Sequence, residues 1–159
     1  MSDSPSGFSP DNDQPRPETS RALRYKKLRP RTMTRIYLIE DNPLIAATLA
    51  DGLQEFSECN VIGTAATSRG AIDWFQDNPE GWDAAVIDIF LAEGNGLAVA
   101  QYLQAHKSPA QRTVVLMNYA TSEVREGALS AGVDAVFDKS HELEAFYEFC
   151  RTLNISPRR

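Results

Sequence analysis

The sequence predicts an α/β protein, a parallel sheet of five short strands with helices on both faces. Three observations carry that prediction. Five apolar runs with a β-branched bias fall at 36–39, 60–65, 84–89, 113–117 and 135–137. The segments that follow them place apolar residues every three or four positions, the period of a helix packed by one face. The runs are mostly continuous rather than alternating, as strands covered on both faces require, and strict alternation of strand and helix is the pattern of βαβ units.

Each element has a local reason. "IYLI" is followed by "EDNP", in which Asn42 is a natural N-cap and Pro43 suits a first helical turn. Ile45, Leu49, Leu53 and Phe56 then mark one helical face. "NVIGTA" is the second strand, and Ser68 is placed to cap a helix carrying Ala71, Ile72 and Phe75. "AAVIDI" is the third strand, followed by a helix marked by Leu97, Ala100 and Leu103, or by Val99 and Leu103. "TVVLM" is the fourth strand, and the helix over 122–131 ends at Gly132, a residue type that closes helices in the left-handed conformation. "AVF" is the fifth strand, and Leu143, Phe146, Tyr147 and Cys150 share a face of the last helix.

Composition bounds the function. The 159 residues are 42% hydrophobic, enough for one cored domain plus extra chain. No stretch approaches the roughly 20 apolar residues of a membrane span, and the N-terminus has no apolar core of a secretory signal, so the expectation is a cytoplasmic protein without a membrane partner. Cys59 and Cys150 lack metal-ligand spacing and read as buried, reduced thiols; His106 and His141 are isolated and read as surface or capping residues rather than ligands. The net charge of −6 is unevenly spread: residues 21–35 carry seven bases and no acid, whereas residues 36–155 carry eighteen acids and six bases. That acidic body argues against general nucleic-acid binding. Residues 1–33 read as a disordered extension with a basic segment over 21–35, residues 34–155 as the domain, and residues 156–159 as a tail.

The strand ends carry the chemistry. Glu40 and Asp41 follow the first strand, Asp88 ends the third, Asn118 follows the fourth and Lys139 the fifth. In a parallel sheet these groups share the carboxyl edge, where ligands bind. Three gathered carboxylates repel one another, and hard oxygen donors favour Mg²⁺ as the relief. A reachable Asp88 is then a nucleophile for phosphoryl transfer, with Mg²⁺ on Asp41 and Asp88, Glu40 acting through a metal-bound water, and Lys139 balancing charge on a phosphoryl oxygen.

Four segments, "IYLIEDNP", "AVIDIFLAEGNGL", "VVLMNYA" and "VFDKS", occur in that order, each at the end of its expected strand. Over about 34–155 the sequence thereby resembles the receiver domain of bacterial two-component response regulators. The resemblance implies a doubly wound, flavodoxin-like sheet of order 2-1-3-4-5 with five helices. It implies that Asp88 accepts a phosphoryl group from a phosphohistidine on a sensor histidine kinase or phosphotransfer protein, in a phosphorelay. It implies Asp41, Asp88 and the main-chain carbonyl of Phe90 as Mg²⁺ ligands.

Three positions depart from the family pattern. Met117 occupies the place of the usual Thr or Ser at the end of the fourth strand, and a thioether cannot donate a hydrogen bond. Adjacent Asn118 would supply a donor if that strand were bulged by one residue. Val136 stands where an aromatic is usual, with Phe137 one position later, and Ser140 replaces the usual Pro and becomes a candidate cap for the last helix. The leading expectation is a stand-alone, single-domain regulator rather than an enzyme. Only "NISPRR" follows the last helix, so no DNA-binding domain is expected, and signalling passes to a downstream protein through about 121–153. Phe149 lies off the buried stripe and would be exposed for that partner or for a homodimer. Two other readings are a scaffold that uses the basic segment without phosphorylation, and an Mg²⁺-dependent phosphohydrolase, which would lack its second Asp because Phe90 stands there.

Overall fold

The computed structural model describes residues 33–154. The extension through residue 32, most of the basic segment, and the tail 156–159 lie outside the described residues. Five strands and five helices alternate: β1 (Thr34–Ile39), α1 (Pro43–Ser57), β2 (Cys59–Ala65), α2 (Ser68–Asp77), β3 (Ala84–Asp88), α3 (Gly96–His106), β4 (Arg112–Met117), α4 (Ser122–Ser130), β5 (Ala135–Asp138) and α5 (Leu143–Leu153). The strands form one parallel sheet in the order β2-β1-β3-β4-β5. Among the described residues no helix is long and apolar enough to cross a membrane.

Strand alternation divides the core in two. Tyr37, Ile39, Ala85, Ile87, Val115, Met117 and Val136 face α2, α3 and α4, where they meet Phe75, Val99, Leu103 and Ala128. Ile36, Leu38, Ala84, Val86, Val114 and Leu116 face α1 and α5, where they meet Leu49, Leu53, Phe146 and Cys150. All five residues of β3 are buried, which accounts for its continuous apolar run before Asp88. Cys59 and Cys150 are buried and free, and burial pushes the Cys59 thiol up to about 11.

Caps fix where the helices begin. Asn42 Oδ1 accepts from the N–H groups of Leu44 and Ile45 at 2.9 and 3.1 Å, and a cap of this kind is worth about 1 kcal/mol. Asn95 and Thr121 do the same for α3 and α4. Gly132, with φ of 98°, closes α4.

Several expectations shift. The cap of α2 is Thr67, whose hydroxyl accepts from Gly70 N–H at 3.0 Å, and Ser68 is already helical. Ser140 does not cap α5: Glu142 holds the cap position without a side-chain cap bond, because its carboxylate is engaged elsewhere. Phe56 is 56% exposed, at the end of its stripe, and leans on Tyr147. Phe149 is not an exposed aromatic: it is half-buried against Phe137, with ring centroids 5.7 Å apart.

Candidate functional site

The carboxyl edge of β1, β3 and β5 brings together the four groups expected there. Lys139 Nζ donates to Glu40 Oε1 at 2.6 Å and to Asp88 Oδ2 at 3.0 Å. Oxygens of Glu40, Asp41 and Asp88 lie within 4.8 Å of one another. This set of hard donors fits a small divalent cation such as Mg²⁺. The site is not a loose surface cluster: the side chains of Glu40, Asp88 and Lys139 are 2%, 8% and 11% exposed.

Backbone donors hold each carboxylate. Glu40 Oε2 accepts from Asn42 N–H at 3.1 Å, Asp41 Oδ2 from Ala92 N–H at 2.7 Å, and Asp88 Oδ1 from Phe90 N–H at 3.0 Å. Phe90 thus turns its amide to Asp88, while its side chain is 61% exposed. The loop between β3 and α3 closes through Gly96, whose N–H donates to Ile89 C=O at 3.0 Å. A methyl group at Gly96 would stand 2.1 Å from the Asp88 carbonyl oxygen, so the close approach of α3 to the end of β3 requires glycine there.

Burial and charge set the protonation balance. Burial raises the Glu40 pKa above the ordinary glutamate value; Lys139 and the Asn42 N–H oppose the rise, and the Asp88 charge adds to it. Burial pulls the Lys139 ammonium down, but its hydrogen bonds to Glu40 and Asp88 outweigh that and leave it above the ordinary lysine value. In the absence of another cation, Lys139 is the counter-charge of the pocket.

Met117 and Asn118 are not part of this cluster. Met117 is fully buried on the α4 side of the sheet. The β4 ladder runs in register to its end, with Leu116 opposite Phe137 and Met117 opposite Asp138, so no bulge brings Asn118 inward. Asn118 is exposed and its Oδ1 accepts the Ser140 hydroxyl at 3.4 Å. Val136 faces the α4 side, and Phe137 faces α5, where it packs on Phe146.

A second polar network beside the pocket was not anticipated from the sequence. Asp138 accepts Ala120 N–H at 3.0 Å and Ser140 N–H at 2.7 Å. Those two bonds, led by Ala120, hold its pKa below the ordinary aspartate value. Arg125 donates to the carbonyls of Ala120 and Val136 at 3.3 and 3.2 Å and to Glu142 Oε1 at 2.5 Å. Glu142 Oε1 also accepts Asp138 N–H at 2.9 Å. Next to Ala120, Tyr119 is 83% exposed and holds a left-handed φ of 55°, a conformation that costs a non-glycine residue about 1–3 kcal/mol. The available signal was Asp138 itself, an acid closing an otherwise apolar strand.

Comparison with known proteins identifies the family and the fold. The family model described as "Response regulator receiver domain" matches residues 36–150. The chain is 28% identical over 100 residues to the DNA-binding transcriptional activator DevR/DosR of Mycobacterium tuberculosis, a match covering 63% of this chain and 45% of that protein. The chain therefore spans less than half the length of that relative. Among solved structures, the response regulator domain of Thermotoga maritima CheB superposes with a TM-score of 0.67 at 15% identity, covering 80% of this chain and 100% of that one. The BeF3-activated N-terminal receiver domain of Klebsiella pneumoniae RstA superposes with a TM-score of 0.66 at 17% identity, covering 77% and 99%. With the sheet order and the family match in agreement, the chain belongs to the response regulator receiver domain family.

Proposed function

We propose that the domain accepts a phosphoryl group on Asp88 from a phosphohistidine carried by a sensor histidine kinase or phosphotransfer protein. The observation that carries this reading is the double contact of Lys139 Nζ with Glu40 and Asp88, with Asp41 in reach. Asp41, Asp88 and the Phe90 carbonyl would hold Mg²⁺, with Glu40 assisting through water. When bound, the ion supplies positive charge to phosphoryl oxygens. An Asp88 carboxylate oxygen attacks phosphorus in line, the bond to the donor nitrogen breaks, and the donor imidazole leaves. Phe90 N–H fixes the Asp88 carboxylate for attack. Lys139 is already placed to pair with a phosphoryl oxygen as it leaves the carboxylates. Output would then pass by protein contacts through α4, β5 and α5, and a cytoplasmic location belongs to the same reading.

The test is incubation of the full chain with acetyl phosphate, with and without Mg²⁺, followed by intact-mass measurement. One added phosphoryl group is expected with Mg²⁺ and none in Asp88→Asn. Equal labelling of Asp88→Asn, or none of the wild type, overturns the reading.

A further inference from the structure

In this domain the end of β4 offers no hydroxyl toward the pocket: residue 117 is a methionine, fully buried among apolar neighbours. The loop after β4 is nonetheless tied to the pocket by another route. Met117 C=O accepts Lys139 N–H at 2.9 Å, Ser140 Oγ donates to Asn118 Oδ1 at 3.4 Å, and Asp138 Oδ2 accepts Ala120 N–H at 3.0 Å. Residues 117–120 are therefore bonded to 138–140, and Lys139, in the middle of the second stretch, carries the ammonium group that contacts Glu40 and Asp88.

The Ala120 peptide is gripped on both sides. Its N–H meets the Asp138 carboxylate and its C=O meets the Arg125 guanidinium. The two grips are joined through Glu142, which accepts from Arg125 and from Asp138 N–H. The grip adjoins Tyr119, whose left-handed backbone is unfavourable and persists only while its surroundings hold it. Asp138 and Met117 are direct partners across the β4–β5 ladder. The carboxylate thus reaches the loop from the strand position beside the one that a hydroxyl would occupy.

We propose that Asp138 is a positioning residue that couples Lys139 to the β4–α4 loop, so that movement of Lys139 toward a phosphoryl group shifts Ala120 through the Asp138 carboxylate. The proposal rests on the phosphoacceptor reading above. Asp138 is anchored to Ser140 N–H as well as to Ala120 N–H, so the segment carrying Lys139 cannot be displaced without straining the Ala120 bond. Loss of that bond frees the backbone at Tyr119 to leave its left-handed conformation, and the start of α4 follows.

The experiment uses the ¹⁵N-labelled full chain and follows amide shifts on addition of Mg²⁺ with beryllofluoride as the phosphoryl mimic. In the wild type, the amides of Asp88, Phe90 and Lys139 shift together with those of 118–124. Asp138→Asn is nearly isosteric but keeps only one acceptor oxygen for two N–H groups. It should leave the shifts at Asp88 and Phe90 intact and remove more than half of those at 119–124. A purely structural role would change the ligand-free spectrum and leave the ligand-induced shifts as they were, and that result overturns the proposal. A measurement on the wild type alone makes the same decision without a variant. On ligand addition, hydrogen exchange at Ala120 N–H should change more than at Val124 N–H, which Thr121 holds locally. Unchanged protection of Ala120 beside a responding Asp88 overturns the coupling alone. No response at Asp88, Phe90 or Lys139 overturns the phosphoacceptor reading and this proposal with it.

Discussion

Replacing Lys139 with Met keeps most of the length of the side chain and removes its charge. Glu40 and Asp88, 2% and 8% exposed, then face each other without a counter-ion. Removing one partner from a buried ion pair costs about 3–5 kcal/mol. Proton uptake sets an independent ceiling. An ordinary carboxyl titrates near 4.3, each pH unit is worth about 1.4 kcal/mol, and neutralising one such group at about pH 7 therefore costs about 4 kcal/mol. The two figures agree, and the second depends on pH. The variant's folded state binds an extra proton, so its deficit shrinks on acidification, from about 4 kcal/mol at about pH 7 to about 1 kcal/mol at about pH 5. Urea denaturation in the presence of a chelator at both pH values measures this. Added Mg²⁺ should recover part of the loss at neutral pH by binding the folded state alone. A deficit below about 1 kcal/mol at about pH 7, or one that does not change with pH, would refute the idea that Lys139 balances the pocket.

Three further outcomes follow from the same geometry. Gly96→Ala puts a methyl group 2.1 Å from the Asp88 carbonyl and 2.7 Å from Ile89 Cα. It should cost about 2 kcal/mol and slow phosphoryl uptake from acetyl phosphate; a wild-type rate would show that the Asp88 backbone need not move. Met117→Thr removes buried volume at a fully enclosed position, for a loss of about 2 kcal/mol in urea, while its hydroxyl strengthens the beryllofluoride-induced shifts over 118–123; identical shifts in the two proteins would refute the second half. Glu40 has a raised pKa, so protons compete for it above the ordinary glutamate range. Mg²⁺ affinity measured by calorimetry should weaken on acidification beginning in that range, and Glu40→Gln should remove that part of the pH dependence.

The order and type of the ten elements were legible because each strand is a compact apolar run and each helix repeats its apolar face. The pocket was legible for the same reason: once the strands are parallel, residues 40, 41, 88 and 139 have one edge to share. What escaped was set by side chains choosing among near neighbours. Thr67 and Ser68 are both competent caps, and only the path of the backbone out of β2 selects Thr67. Ser140 looked like a cap because nothing local shows that its N–H is taken by Asp138. Phe149 looked exposed because the helical stripe omits it, yet Phe137 crosses from β5 to cover it. The Asp138, Arg125 and Glu142 network joins three separate segments, and no periodicity within any one of them announces it.

The aromatic cluster around Trp82 has a practical bearing. Trp82 is 2% exposed against Phe75, and Trp74 stacks on Tyr37 at 4.0 Å. Trp82 lies six residues upstream of Asp88 along an extended segment, about 20 Å away. Emission from Trp82 should therefore report melting of the hydrophobic interior and stay dark to whatever docks on the acceptor carboxylate. Anyone wishing to watch occupancy by light has a ready location in Tyr119, whose side chain already stands out in water next to the events of interest.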